Sequence, residues 1–274
     1  MKTLKRILAA TTLLVTLGFA SEANAQVPLE NFFKNPEKAG YQISPDGKYF
    51  SYMAPYENRL NLFVQEVGSD KATRITSETV RDLAGSMWAN GHRILYIKDT
   101  AGDENFQLYG VNVDGTDSKA YTAFPKVRTT IIDPLENIDS LVIIGLNKRN
   151  PQVFDPYRLN LNNGELTQLA ENPGNIQGWM TDHNGKLRVA LAIVDGVNTQ
   201  ILYRETEEQP FRPVLTTNFK ETVSFATFTP DNKMVYALTN IGRDKTALVL
   251  MDPATCEEKE VLLSLIHISE PTRR

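Results

Sequence analysis

Tight-turn signals recur along this chain at a nearly constant interval, and that interval constrains the fold more than any other feature. Asp46-Gly47, Asn90-Gly91, Leu135-Glu136, Asn184-Gly185 and Asp231-Asn232 place their second residues at 47, 91, 136, 185 and 232, so the spacings run 44, 45, 49 and 47. A second series, Gly68, Gly115, Gly164, a charged turn near Glu208, and Ala254, keeps the same period out of phase with the first. Between the turns lie short alternating runs rich in β-branched and aromatic residues, the pattern of strands half buried in a sheet. Each period holds four of them. In the first repeat they are Gly40 to Ser44, Lys48 to Pro55, Asn61 to Val67 and Ala72 to Ser77. "LAGSMWA", "HRILYIKD", "FQLYGVNV" and "KAYTAF" fill the same slots in the second repeat, and the next three repeats continue the series.

A unit of this length made only of strands reads as a β-propeller blade. One such sheet has two apolar faces and can cover neither alone; stacking blades around an axis covers both. The chain therefore reads as all-β, an incomplete propeller of about five four-stranded blades over residues 40–262, divided at about 40–80, 81–126, 127–172, 173–220 and 221–262. With 41% hydrophobic and 9% aromatic residues, 274 residues can bury such a core.

The flanks read differently. Lys2, Lys5 and Arg6 precede an apolar run from Ile7 to Ala20, and Ala23-Asn24-Ala25 follows. That order is a Sec-type secretory signal over residues 1–25, cut before Gln26, and predicts a periplasmic or secreted protein. The apolar run is shorter than the roughly 20 residues a membrane span needs. Residues 26–39 form a lead-in segment or a short helix, since "PLENFFKNPEKAG" begins with proline and reaches Gly40 as a stop. At the other end, Leu263 to Arg273 resembles the codon-by-codon translation of a transposase-based sequencing-library adapter, so residues 263–274 are expected to be a foreign tail.

Removing residues 1–25 changes the balance of Lys and Arg against Asp and Glu from 29 against 33 to 26 against 32, because three basic side chains and Glu22 leave. No long basic run follows, so nucleic acid and anionic membrane surfaces are not expected partners. Cys256 is alone and can make no internal disulfide or Cys-rich metal site. No GxSxG, HExxH or phosphate-binding glycine loop occurs, and His92 and His183 lie in turns. No catalytic residue, cofactor or metal is expected in this chain. Trp88 and Trp179 read as inter-blade packing. Two patches stand out. "GLNKRNPQVFDPYR" (145–158) breaks the four-strand rhythm with a polar connection, where Lys148, Arg149 and Arg158 could receive a carboxylate or pair with a neighbouring domain. "ETEEQP" sets Glu207 beside Glu208, which could hold a peptide amino group, although adjacent like charges favour a solvated turn.

"YQISPDGKYFSYMAPYENRLNLFVQ", "GDENFQLYGVNVDGT", "IIGLNKRNPQVFDPYRLNL", "NPGNIQGWMTDHNGKLRVA" and "TTNFKETVSFATFTPDNKMVYALTNIGRDK" together resemble the propeller of the secreted prolyl oligopeptidase (S9) family, in its acylaminoacyl-peptidase and dipeptidyl-peptidase-like branch. The resemblance spans residues 28–262. It implies a periplasmic serine peptidase in which a larger propeller covers a C-terminal α/β-hydrolase domain and admits short peptides. The family's serine, aspartate and histidine lie in that second domain, and none has a counterpart here. The expected partners are that missing hydrolase domain of the same chain and, for the parent enzyme, short peptides. A different reading is a TolB-like periplasmic propeller that binds proteins. Such proteins carry a separate α/β domain before the first blade, whereas here the first SPDG turn comes about 20 residues after the cleavage site.

Overall fold

The computed structural model describes residues 27–33 and 37–264, so the expected signal sequence and all but the first two residues of the expected tail lie outside the described residues. Among the described residues of the expected lead-in segment there is a single helical turn, α1 (Glu30–Phe33), with the Asn31 N–H donating to Pro28 O at 2.9 Å. Gly40 does not stop a helix; it lies in the first strand with φ of 63°.

From Ala39 onward the chain is a succession of antiparallel sheets, and every sheet takes its four strands in chain order. Blade 1 is β1 (Ala39–Ile43), β2 (Tyr49–Tyr56), β3 (Arg59–Glu66) and β4 (Ala72–Arg74). Blade 2 is β5 (Gly85–Asn90), β6 (Arg93–Lys98), β7 (Gln107–Asn112) and β8 (Lys119–Ala120). Blade 3 is β9 (Thr129–Asp133), β10 (Leu141–Asn150), β11 (Val153–Asn160) and β12 (Leu166–Gln168). Blade 4 is β13 (Ile176–Thr181), β14 (Leu187–Val194), β15 (Asn198–Tyr203) and β16 (Arg212–Thr217). Blade 5 is β17 (Val223–Phe228), β18 (Val235–Thr239), β19 (Ala247–Met251) and β20 (Glu258–Ser264). Five four-stranded blades are what the turn period predicts. The last strand carries on through Leu263 and Ser264, which pair with Leu248 and Ala247.

The meander puts the first-to-second and third-to-fourth turns of every blade at one end of its strands. The second-to-third hairpins and the links between blades lie at the other. We call these the turn end and the hairpin end.

The core lies between blades. Leu62, Val64, Ile94, Tyr96 and Val111 form one buried cluster across blades 1 and 2. Leu95, Leu108, Val142, Ile144 and Leu159 form a second across blades 2 and 3, and Val189, Ile201, Phe228, Val235 and Val249 a third across blades 4 and 5. On β10 the consecutive residues Val142, Ile143 and Ile144 are all completely buried, which a strand achieves only when both faces of its sheet are covered. Each such side chain contributes about 1.5–3 kcal/mol by leaving water. The end blades are covered on one side. Val235 and Ala237 are buried toward blade 4 while Leu238 between them and Thr239 turns outward, 45% exposed. On blade 1, Tyr41 and Ile43 are exposed beside an aromatic row in which Tyr52 stacks on Phe63 at 5.7 Å.

Two glycines show why the turn signals sit where they do. Gly185 takes φ of 70°, and a Cβ there would stand 3.0 Å from Leu135 Cδ1 in the blade before it. Gly91 has no such backbone demand. Its signal reflects close approach instead, since a Cβ would stand 2.9 Å from the Asp46 carboxyl of blade 1. Cys256 is half-buried, and burial pushes its thiol up to about 11, which leaves it protonated and unreactive at neutral pH.

Candidate functional site: the seam between blades 3 and 4

Four of the five side chains singled out in the sequence lie in or beside one seam. Arg158, on β11, reaches across to blade 4, where Nη2 is 2.7 Å from Glu207 Oε1 and donates to Gly185 O at 2.8 Å. The two candidate patches are thus joined: a basic side chain from one neutralises an acidic side chain from the other. Glu207 turns inward, with its side chain 14% exposed, and accepts the Leu187 N–H at 3.0 Å as well. Burial works against its charge, but the Leu187 N–H and the Arg158 guanidinium outweigh burial and hold the carboxyl below the usual carboxylate range. The solvated turn expected for the Glu207–Glu208 pair holds only for Glu208, which is exposed. Opposite outcomes for adjacent carboxylates follow from partner supply, because a half-buried charge persists only where a cation and N–H groups meet it.

Other polar contacts add to the same end of the seam. The Thr181 hydroxyl donates to Asp133 Oδ2, joining the inner strands β13 and β9. Arg204, 5% exposed, spends its guanidinium on three carbonyls: Leu187 O at 2.8 Å, Glu207 O at 3.0 Å and, across the seam, Leu169 O at 3.3 Å. The register fixes where most of these contacts sit: Ile143 pairs with both Asp133 and Arg158, so the two side chains stand at one level, toward the turn end.

The hairpin end is different. The segment 145–158, expected as a polar connection that breaks the rhythm, instead continues the ladder. β10 runs to Asn150 and β11 resumes at Val153, with Leu146 opposite Asp155 and Asn150 opposite Val153. Backbone pairing continues past the end of the apolar core because Asp155, completely buried, organises the hairpin. It receives Arg149 Nε at 2.9 Å and Nη2 at 3.0 Å, and the Asn172 N–H at 2.7 Å. That fork raises the Arg149 pKa further through the Asp155 hydrogen bonds. Arg149 also donates to Asn172 O at 2.7 Å, so it is held by its own blade and the link that follows. Lys148 is exposed and lies over the Phe124 ring at 4.4 Å.

Beside this hairpin the seam opens into a half-open cleft of about 450 Å³ between β9 and β13. Ile132, Phe154, Ile176 and Trp179 supply apolar walls, and Thr130, Gln152 and Gln177 line it with polar groups. Trp179 packs on Phe211 at 5.7 Å on its own blade and borders the cleft. Asn172, buried in the link, is committed: its amide donates to Ile176 O at 2.9 Å and its Oδ1 accepts from Gly174 and Ile176. Among the described residues no group of three His, Cys, Asp or Glu side chains converges as a metal site would require. His183 is exposed, with Nε2 3.0 Å from Phe228 O, and His92 is exposed in its turn.

Residue types alone did not point to Asp155, Asp133, Thr181 or the cleft. One signal could have found the cross-seam pairs. Residues one repeat apart occupy equivalent places on neighbouring blades, and the seam partners are separated by about that much: Arg158 to Glu207 by 49, Thr181 to Asp133 by 48, Gln42 to Ser86 by 44.

No family model matches the chain. It is 31% identical over 239 residues to dipeptidyl aminopeptidase BIII of Pseudoxanthomonas mexicana, an alignment covering 84% of this chain and 34% of that protein. It is 27% identical to dipeptidyl peptidase family member 6 of Caenorhabditis elegans, over 95% of this chain and 38% of that one. The chain thus spans about a third of the length of the curated relatives it matches. Oligopeptidase B from Trypanosoma brucei shares the fold, with a TM-score of 0.57 at 12% identity over 82% of this chain and 34% of that one. An all-β run of five blades, with dipeptidyl peptidases as its curated relatives, makes this chain similar to the propeller part of the prolyl oligopeptidase (S9) family of serine peptidases.

Proposed function

We propose that this chain is the non-catalytic propeller portion of a secreted S9-family serine peptidase, screening the peptides that reach an α/β-hydrolase domain further along the same polypeptide. The observation that carries the reading is the alignment with dipeptidyl aminopeptidase BIII, which runs along 84% of this chain yet accounts for 34% of the relative. The physical role follows from the construction. Sheets covered on both faces are stiff, so a ring of them can restrict entry to a hydrolytic chamber while contributing no nucleophile. The basic N-terminus, apolar run and Ala23-Asn24-Ala25 site support export to the periplasm with cleavage before Gln26.

Two measurements test this. The genomic reading frame is expected to continue past codon 262 to a Gly-x-Ser-x-Gly-Gly motif, and a stop codon within one blade's length overturns the reading in favour of a self-standing binding propeller. The purified 274-residue chain is expected to leave dipeptidyl arylamides intact, while the longer product cleaves them. Hydrolysis by the short chain that a serine-directed inhibitor abolishes would show that the chemistry resides here.

A further inference from the structure

The cleft between β9 and β13 has the makings of a peptide site, which rests on and deepens the peptidase reading. Its volume of about 450 Å³ lies within the range of sites that enclose small ligands. Ile132, Phe154, Ile176 and Trp179 present apolar and aromatic surface, and none of the lining side chains carries a charge. The side chains of Thr130, Gln152 and Gln177 make no hydrogen bond to the described protein, so they are free to meet amide groups. The strands on either side are inner strands, each paired on one edge only: β9 with β10, and β13 with β14. Along the other edge Asn172 takes the N–H and C=O of Ile176, and Phe106 O accepts the Thr129 N–H, but further along β9 and β13 the outward groups meet no partner strand, the arrangement that accepts a short added extended segment. The Thr181–Asp133 contact fastens the same two strands beyond the cleft, so the opening is built into the seam.

We propose that this cleft binds a short extended peptide through its backbone and takes in one uncharged apolar or aromatic side chain. The charge-free lining sets the selectivity. A carboxylate or ammonium inserted here would give up part of its water and find no counter-ion among the lining side chains, which disfavours the charged form, whereas a leucine or phenylalanine side chain gains by leaving water.

The test uses fluorescence. Trp88→Phe leaves Trp179 as the sole tryptophan of the full chain, and this variant is titrated with N-acetylated, C-amidated tripeptides whose central residue is Phe, Leu, Asp or Lys. The expected result is a saturable change with Phe and Leu peptides and at least tenfold weaker binding of the Asp and Lys peptides. Thr130→Phe, which lays a ring across Gly145 and fills the cleft, is expected to abolish the response at an unchanged melting temperature. Absence of a saturable response, equal binding of all four peptides, or full binding by Thr130→Phe overturns the proposal. If Thr130→Phe melts early, Thr130→Leu replaces it under the same criteria. The two readings can fail separately. A longer product that hydrolyses peptides with the same KM whether residue 130 is Thr or Phe sinks the cleft and leaves the peptidase reading standing.

Discussion

The seam between blades 2 and 3 and the seam between blades 3 and 4 solve the same problem with different chemistry. In the first, Leu95, Leu108, Val142, Ile144, Leu146 and Leu159 interdigitate, with exposures of 1% or less. The second is linked by Arg158 to Glu207, Thr181 to Asp133 and Arg204 to Leu169, and beyond these it opens into the cleft. Burying carbon is non-directional and independent of pH, whereas a buried ion pair stabilises only while both charges persist and every donor is met. The first seam adds to its carbon two neutral links, the Asn90 amide donating to Asp139 O at 2.9 Å and the Tyr121 hydroxyl to Leu161 O at 2.7 Å, neither of which depends on a titrating group. The polar seam fixes a single register and leaves space beside it.

Substitutions can separate the two, beginning with the largest effect. Leu159→Ala opens a cavity in the apolar seam and is expected to cost about 3–4 kcal/mol in urea unfolding, equally at pH 7 and in acid. A cost below about 1 kcal/mol would mean that blade 3 is not held by its blade 2 face. Asp155→Asn leaves Arg149 and the Asn172 N–H short of a carboxylate and is expected to cost about 2–3 kcal/mol, discounted because Arg149 is part-exposed. Proteolysis should then find the 147–153 hairpin before any other segment.

Glu207→Gln is the sharper probe of the polar seam, with an expected cost of about 1–2 kcal/mol at pH 7. Its pH dependence has a definite sign. Because the folded carboxyl titrates below its ordinary value of 4.5, its stabilisation is complete above that value and is lost as pH falls below it. Wild type and Glu207→Gln are therefore expected to converge in stability as pH falls below 4.5, while wild type and Leu159→Ala stay apart. A gap that stays constant for Glu207→Gln would mean that the carboxylate does not hold the seam. Lys148→Ala, which removes an exposed charge lying over Phe124, is expected to change stability by less than about 0.5 kcal/mol and serves as the baseline.

The blade pattern was legible because it rests on local physics. Turn residues at positive φ and alternating strands carry their signature within ten residues, and the Asp46-Gly47 and Asn184-Gly185 turns stand where the spacing put them. The 145–158 segment misled because polar composition there reflects a buried Asp155 and its Arg149 fork, not a break in pairing. Glu207 misled for a related reason: a charge beside another charge reads as solvated unless the cation one repeat earlier is placed opposite it. The cleft left no local trace, because it is bounded by strands 47 residues apart whose closeness exists only once the blades stack, as Thr129 and Ile176 at their starts show.

Each blade touches only those beside it, so cohesion along the array is a series of nearest-neighbour couplings, and one of them titrates. Because the Glu207 carboxyl titrates below its ordinary value of 4.5, acid below that pH is expected to weaken the coupling of blades 1–3 to blades 4 and 5 before either group melts. Hydrogen exchange would then show protection dropping first along β9, β13 and the Glu207 loop. The wall of blades would thereby carry a crease at a fixed place, set by one carboxylate.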